Sequence, residues 1–331
     1  MTFNITGVIF KLSFAASYIS LWKSGQLKQR SQEAREHLAS CVLCPRRCGV
    51  NRLKGETGFC RTGLWPIVSS YNAHHGEEPP LSGSRGSGTI FFSRCNLSCA
   101  YCQNWAISQL GQGREVSLEG LAGMMVELQG RGCHNVNLVT PSHVTAQVVM
   151  ALELAAAQGL SIPLVYNSSG YDSPESLRLL DGLVDIYLPD IRYSDSEAAR
   201  RYSGAADYPA VNREALKEMW RQVGPLAIDD DGLGRRGMIV RHLVLPNNLS
   251  QTRECLEFLS REISPRVQLS LMSQYFPGHR APGLPELSRH LVPREYQQAL
   301  EWADEFGLEN GWRQELDDSG GGPPEAIIRD Q

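Results

Sequence analysis

The sequence predicts an α/β protein: a partial (β/α)6 barrel preceded by a small cysteine-rich N-terminal module. Short runs rich in β-branched and aromatic residues alternate with helical segments between Thr89 and Phe306. Repeated units of this kind place the strands parallel with right-handed crossovers. Polar residues follow most of the strands, and parallel barrels collect their chemistry at that end. An open doubly wound sheet is the alternative, but no G-x-G-x-x-G pattern follows the first strand.

Each element is justified by its local pattern. The predicted strands cover residues 89–92, 135–139, 162–167, 184–190, 238–245 and 267–272. The predicted helices cover residues 26–40, 115–130, 144–157, 174–183, 194–202, 212–223, 250–263 and 293–306. Residues 74–87, which include His-His-Gly-Glu-Glu-Pro-Pro, are predicted to form a loop against the site, because they lead directly into the first strand.

These elements divide the chain into five parts. They are a partly helical extension (1–40), a cysteine-rich metal-binding module with a loop (41–84), the barrel (85–290), a C-terminal helix (291–316) and a disordered tail (317–331).

Composition sets the broad class. The chain has 331 residues, of which 42% are hydrophobic and 21% charged, which suits one large domain. A net charge of −4 gives no bulk electrostatic case for a nucleic-acid partner. No apolar stretch is long enough to span a membrane. The apolar run from Ile5 to Trp22 lacks the preceding basic residues of a signal peptide, so we interpret it as a docking segment or a loosely ordered end.

Three cysteines follow the first predicted strand. Cys95, Cys99 and Cys102 stand at i, i+4 and i+7, so their thiolates can surround one metal centre. Three ligands leave one position open, as catalytic metal sites do. We therefore interpret the group as the ligands of a [4Fe–4S] cluster with one open iron. A structural zinc site and cysteines that merely pack are the alternatives.

A second group of cysteines precedes the barrel. Its four members are Cys41, Cys44, Cys48 and Cys60. Four ligands imply a closed structural site, and so small a module needs a metal for its stability. A structural zinc, a second iron–sulfur cluster and incomplete ligation remain open, and a second cluster could relay electrons to the first. Seven of the nine cysteines lie in these two groups, which indicates metal ligation in a reducing compartment, the cytoplasm.

The pattern Cys-x-x-x-Cys-x-aromatic-Cys, with Tyr101 as the aromatic residue, resembles the signature of the radical S-adenosylmethionine (SAM) superfamily. Three further pieces resemble the branch described as similar to pyruvate formate-lyase activating enzyme. They are His74 to Pro80, Cys102-Gln103-Asn104 and Val136 to Pro141. The resemblance covers about residues 41–280. It implies a β6α6 barrel, a [4Fe–4S] cluster and SAM.

The resemblance also implies which residues contact SAM. In the family a Gly-Gly-Glu motif after the second strand holds the amino group, and Thr140-Pro141-Ser142-His143 stands in that place here. Asp190-x-Arg192 is similar to the Asp-x-Lys of the activating enzymes, and Tyr101 would lie against adenine. The residues expected to bind the cofactor are Tyr101, Asn104, Thr140, Ser142, His143, Asn167, Ser169, Asp190 and Arg192.

The implied activity is that of an oxidoreductase. The reduced cluster would cleave SAM to methionine and a 5′-deoxyadenosyl radical, which abstracts a hydrogen atom. The leading substrate is a glycyl residue of a partner enzyme, with a flavodoxin or ferredoxin as one-electron donor. Modification of RNA or of a small metabolite is one alternative. A non-catalytic iron–sulfur or zinc protein is another, although a three-cysteine site argues against an electron carrier.

Overall fold

The computed structural model describes residues 14–315 and is built around one sheet. The strands are β1 (Ile67–His74), β2 (Ser87–Phe92), β3 (Arg114–Glu115), β4 (Val136–Val139), β5 (Leu164–Ser168), β6 (Ile186–Pro189), β7 (Ala227–Ile228), β8 (Gly234–Leu243), β9 (Gln268–Met272) and β10 (Gly311–Arg313). The helices are α1 (Tyr18–Lys23), α2 (Gln26–Glu36), α3 (Pro79–Ser82), α4 (Trp105–Ser108), α5 (Leu118–Gly130), α6 (Thr145–Ala157), α7 (Pro174–Leu180), α8 (Ser196–Ser203), α9 (Tyr208–Val223), α10 (Thr252–Phe258) and α11 (Pro293–Glu305). The predicted tail lies outside the described residues.

The strand order is β10-β9-β8-β6-β5-β4-β2-β1-β3, with β7 paired to β8. From β10 to β2 every neighbouring pair is parallel, whereas β1 runs antiparallel to both β2 and β3. The six predicted strands are all present, and the predicted α/β barrel is confirmed. In the part of the chain that the structure describes, β3 and β10 do not pair with each other, so the barrel is open on one side.

Four of the strands, β1, β3, β7 and β10, were not predicted, and β3 and β7 have two residues each. In β1 only Val68 is buried, so its sequence lacks the apolar alternation that marks a strand. β10 has three residues and extends the parallel sheet beyond β9. The predicted helix over residues 212–223 begins earlier, at Tyr208, because Pro209 occupies a first-turn position that a helix tolerates.

The predicted loop over residues 74–87 requires a correction. It begins in the last residue of β1 and contains the one-turn helix α3, whose first residues are Pro79 and Pro80. The prolines indicated a loop, yet their fixed φ is also suited to the start of a helix. Leu81 of α3 is fully buried against Val165, Ile186, Leu188 and Ile239. This segment therefore forms the floor of the barrel interior.

The helices cover the outside of the sheet, and the N-terminal segment docks on them. α2 packs against α6, and the described end of the Ile5–Trp22 run reaches the barrel through α1. The Tyr18 hydroxyl donates to the Ile162 carbonyl at 2.8 Å. Ser17 donates its N–H and hydroxyl to Asp185 at 2.8 and 2.7 Å. Among residues 14–315, no helix has the length and apolar character needed to cross a bilayer.

The contact between Ser17 and Asp185 predicts a pH dependence of stability. Burial raises the pKa of Asp185 to about 6, although hydrogen bonds from Leu164 and Ser17 oppose the shift. The folded state therefore holds this proton more tightly than the unfolded state, where an aspartate titrates near ~4. The resulting stabilisation is complete below pH ~4 and is lost as the pH rises through about 6.

We expect wild type to gain about 2 kcal/mol of stability relative to Asp185→Asn as the pH falls from 7.5 to 4.5. The asparagine side chain does not titrate, so the difference between the two proteins isolates this one group. Urea denaturation of both proteins at a series of pH values measures it. A difference that does not change with pH would contradict the raised pKa.

Candidate functional site

The three cysteines of the predicted cluster lie on the loop between β2 and α4, at the carboxyl end of the first parallel strand. Backbone hydrogen bonds hold this loop from two directions. Ser98 and Ala100 donate their N–H groups to the carbonyls of Ser203 and Tyr202, at 3.0 and 2.7 Å. Arg280, on the segment after β9, donates its N–H to the Ala100 carbonyl at 2.8 Å. Side chains add to these contacts, because Ser203 contacts Cys99 and Arg280 contacts Ser98. The loop is thus held in place by elements about 100 and 180 residues away in the sequence.

Each of the three sulfur atoms has a neighbouring hydrogen-bond donor. The Leu97 N–H lies 3.3 Å from Cys95 Sγ and the Ser203 hydroxyl 3.0 Å from Cys99 Sγ. The Ser108 hydroxyl lies 3.1 Å from Cys102 Sγ. Hydrogen bonds to sulfur stabilise thiolates and tune iron–sulfur clusters. The sequence analysis missed both serines. Ser203 lies 104 residues from Cys99, and Ser108, although it is near Cys102, belongs to no recognisable motif.

The thiols themselves suit metal ligation. Burial, reinforced by neighbouring thiols, raises the pKa of Cys95 to about 12 and that of Cys102 to about 11. Such groups are protonated and weakly nucleophilic at neutral pH, and they release their protons when they bind a metal. Among residues 14–315, no three His, Cys, Asp or Glu side chains are arranged to hold a single metal ion. A [4Fe–4S] cluster does not require that arrangement, because each cysteine binds a different iron. The three thiols, each with a neighbouring hydrogen-bond donor, fit such a cluster.

Alternating charges run from the barrel floor towards the cysteines. Arg241 of β8 donates Nε and Nη2 to the two oxygens of Glu78, both at 2.7 Å, and also pairs with Glu77. Only 17% of the Arg241 side chain and 5–6% of the two glutamates is exposed. Asp190 forms a backbone β-bridge with Arg241, and its negative charge raises the pKa of Arg241. The Asp190 carboxylate also forms an ion pair with Arg192. We call these five residues the charge ladder.

Electrostatic interactions keep Glu78, at the end of the charge ladder nearest the barrel floor, ionised. Burial acts to raise the pKa of Glu78, but the charge and hydrogen bonds of Arg241 outweigh it and hold the pKa below its usual value. Arg192 lies at the other end of the charge ladder. Burial acts to lower the pKa of Arg192, but the negative charges of Asp190 and Cys99 outweigh burial and raise this pKa well above the normal range. Arg192 therefore remains a cation next to the cysteine loop at every physiological pH.

The structure brings several predicted residues together around the barrel interior. Asn167 lies in register between Val139 and Leu188, and it is almost buried. The buried Ser169 hydroxyl and the Arg192 Nε have no protein partner among residues 14–315. Asn137, which sequence reasoning passed over, has neither amide atom paired within the same residues. Its polar side chain in an otherwise apolar strand was the available signal.

Unpaired polar atoms next to the charge ladder fit a polar cofactor such as SAM. Burying an amide or guanidinium nitrogen without a partner costs free energy, so such groups in a protein interior indicate a ligand or water.

Other predicted contacts occupy different surroundings. His143 is buried, and its Nε2 donates to the Ser93 carbonyl at 2.9 Å. Burial and the charge of Arg52 lower the pKa of His143 to about 3, so its ring is neutral. Tyr101 is buried against Tyr193 and Tyr275, with ring centroids at 6.5 and 5.9 Å.

The remaining three residues predicted to bind the cofactor lie on loops. Thr140 and Ser142 lie between β4 and α6, and Asn104 lies directly before α4. Thr140 adopts a left-handed backbone with φ of 61°, Ser142 is buried, and Asn104 is exposed at the start of α4. The cofactor contacts of all these residues stay predictions.

Comparison with known proteins agrees with this geometry. Residues 89–222 match the model of the Radical SAM superfamily. A protein of Methanocaldococcus jannaschii, described as uncharacterized protein MJ0674, is 32% identical over 298 residues, which cover 87% of this chain and 81% of the relative. The chain belongs to the radical SAM superfamily. Membership implies a [4Fe–4S] cluster and SAM, and β2 with its cysteine loop opens the matched region.

Solved structures resemble the chain more distantly. Streptococcus suis SuiB bound to S-adenosylmethionine has 12% identity and a TM-score of 0.46, with 67% of this chain and 48% of SuiB covered. A radical SAM methyltransferase from Sphaerobacter thermophilus has 12% identity and a TM-score of 0.45, with 94% of this chain and 97% of that chain covered. The chain thus spans about half the length of SuiB.

Proposed function

We propose that this protein is an enzyme that cleaves SAM reductively and uses the resulting radical to abstract a hydrogen atom from a substrate. When bound, the cluster supplies the electron that splits SAM into methionine and a 5′-deoxyadenosyl radical. The observation that carries the proposal is the position of Cys95, Cys99 and Cys102. They lie at the open end of a barrel, each with a donor to its sulfur, next to the cationic end of the charge ladder.

The chain's own residues supply binding, orientation and exclusion of water. Arg192 has an unpaired Nε beside the cysteines, which suits the carboxylate of SAM, and the Ser169 hydroxyl offers a further hydrogen bond. Tyr101, Tyr193 and Tyr275 form a buried aromatic wall behind the cysteine loop. A dry wall protects a radical from side reactions with solvent.

We propose a glycyl residue of a partner enzyme as the hydrogen donor. The sequence resemblance to activating enzymes supports it, and so does the gap between β3 and β10, through which a polypeptide loop could approach. Host protein grown on α-deuterated glycine, incubated with the reduced enzyme and SAM, should yield 5′-deoxyadenosine one mass unit heavier. Unlabelled 5′-deoxyadenosine only would exclude a glycyl donor.

A small polar metabolite is a second candidate. The unpaired amide of Asn137 and the charge ladder make the barrel interior polar, and such an interior suits a small polar substrate. In either case we expect a low-potential donor such as flavodoxin or ferredoxin and a reducing cytoplasmic environment, in keeping with nine free cysteines.

The cleavage reaction has a direct test. Protein reconstituted anaerobically with iron and sulfide, then given dithionite and SAM, should form 5′-deoxyadenosine. Cys99→Ala should form none. Cys133→Ala is the matched control, because Cys133 is also buried but lies outside both cysteine groups, and it should retain activity. Absence of 5′-deoxyadenosine from fully reconstituted wild type would refute the proposal.

A further inference from the structure

We propose that Cys41, Cys44, Cys48 and Cys60 hold a second [4Fe–4S] cluster, next to the loop that carries the first. We call residues 41–62 the cysteine module. The proposal goes beyond the proposed function and does not depend on it, because it concerns four residues outside the matched superfamily region, 89–222. It also decides between the zinc and cluster alternatives that the cysteine spacing leaves open.

The four thiols are buried together in a segment with little structure of its own. Cys41, Cys44 and Cys60 are at most 3% exposed, and all four cysteines are free of disulfides. The thiols of Cys41, Cys48 and Cys60 lie close enough to that of Cys44 to interact with it electrostatically. Residues 52–54 form the one helical turn described within the module. A metal centre is the available source of stability for a segment of this kind.

A buried arginine indicates that the sulfur atoms carry negative charge. Arg52 is 1% exposed, and its Nη2 donates to Cys60 Sγ at 3.3 Å, while Nη1 donates to the His143 carbonyl at 2.7 Å. In the described part of the chain, neither of these partners is a carboxylate. A buried guanidinium needs a compensating anion, and metal-bound thiolates provide one whereas neutral thiols do not.

The arrangement of the sulfur atoms favours a cluster over zinc. A tetrahedral zinc ion draws all four sulfur atoms to ~2.3 Å from one point, so any three of them must converge. No three potential ligands within residues 14–315 do so. Cys95, Cys99 and Cys102, which belong to a family that binds a [4Fe–4S] cluster, share this property. Neither group is drawn together around a single point, and a [4Fe–4S] cluster does not require this, because each cysteine binds its own iron.

The cysteine module packs directly against the loop of the first cluster. Arg46 donates Nε to the Asn96 carbonyl at 2.8 Å and Nη1 to the Gly204 carbonyl at 2.7 Å. A cavity of about 380 Å³ is lined by both Cys60 and Cys95. One cysteine of each group thus lines the same cavity, and the second cluster would lie beside the first.

The decisive experiment removes the first cluster and examines the metal that remains. The variant is the full-length chain with Cys95→Ala, Cys99→Ala and Cys102→Ala, reconstituted anaerobically with iron, sulfide and zinc all present. We expect about four irons per chain, half the wild-type content, and an EPR signal on reduction that SAM does not change. One zinc and no iron per chain would overturn the proposal.

A reciprocal variant tests the same assignment. Cys44→Ala with Cys60→Ala should lose half of the wild-type iron and keep the SAM-sensitive EPR signal. Retention of all the iron would overturn the proposal. Should this variant fail to fold, the metal content of the triple variant decides alone. The triple variant lacks the ligands for SAM cleavage, so its metal content stands apart from any failure of the proposed function.

The midpoint potential of the remaining cluster tests the role of the Arg52 charge, because a purely structural role of Arg52 would leave this potential unchanged. In the triple variant, Arg52→Gln should shift the midpoint potential of the remaining cluster to a more negative value, because the reduced cluster loses a compensating cation. Arg52→Lys keeps the charge and should leave the potential close to that of the parent. Equal potentials in all three proteins would contradict the role assigned to Arg52.

Discussion

Replacing Arg241 with methionine will destabilise the protein by about 3–5 kcal/mol, since it leaves Glu77 and Glu78 buried without a cation. Both carboxylates are almost inaccessible to solvent, and Arg241 is the residue that pairs with each of them. The expected loss is a large fraction of the stability of an ordinary domain, so the variant should unfold at markedly lower denaturant concentration.

A matched variant separates the charge from the packing. Adding Glu77→Gln and Glu78→Gln to Arg241→Met removes the uncompensated charges and should restore most of the lost stability, because neutral groups of similar shape are cheaper to bury. Denaturation of the apoproteins measures both effects. A triple variant no more stable than Arg241→Met alone would show that the arginine acts through packing instead.

Replacing Arg192 with glutamine will weaken SAM binding by about 10- to 100-fold, the loss of one or two charge-assisted hydrogen bonds. Its guanidinium lies near Cys99 and Tyr101, and its Nε has no protein partner in residues 14–315. Asp190 keeps Arg241 as a neighbouring cation, so we expect the fold to survive. Arg192→Lys should recover only part of the affinity, because lysine lacks the planar fork of donors.

The measurement for Arg192 is a SAM titration of the reduced cluster followed by EPR, with iron content determined in parallel. Arg200→Gln is the control, because Arg200 is an exposed arginine on α8 whose ion pair with Glu197 lies on the surface. It should bind SAM as wild type does. Unchanged affinity in Arg192→Gln, at equal iron content, would remove Arg192 from the cofactor site.

Local patterns sufficed to predict the barrel strands and the cysteine loop. All of the predicted strands except β8 are short and largely apolar, and their turns carry glycine, proline and polar residues that end them clearly. Cys95, Cys99 and Cys102 could be interpreted without any structure because all three belong to one loop. β1 escaped prediction because it is mostly half-buried, so burial imposes little pattern on its residues.

Long-range contacts were beyond the reach of the sequence. Glu77 and Glu78 were recognised as polar groups near the site, but nothing local to them indicates Arg241, which lies 163 residues beyond Glu78. Ser203 is a similar case, since it reaches Cys99 from a helix end 104 residues away. Pairings of this kind depend on how the strands are arranged in space, and a single sequence does not encode that arrangement in any local pattern.

The contact between Glu78 and Arg241 also has a consequence for biosynthesis. A ribosome that adds roughly 5–20 residues per second delivers Arg241 about 10–30 seconds after Glu78. Until then the nascent chain carries two acidic groups at a position that must become buried, so the floor of the barrel stays open. The seven cysteines of the two groups have all been synthesised by that time. Closure of the barrel floor around these two acidic groups therefore waits until β8 has emerged from the ribosome.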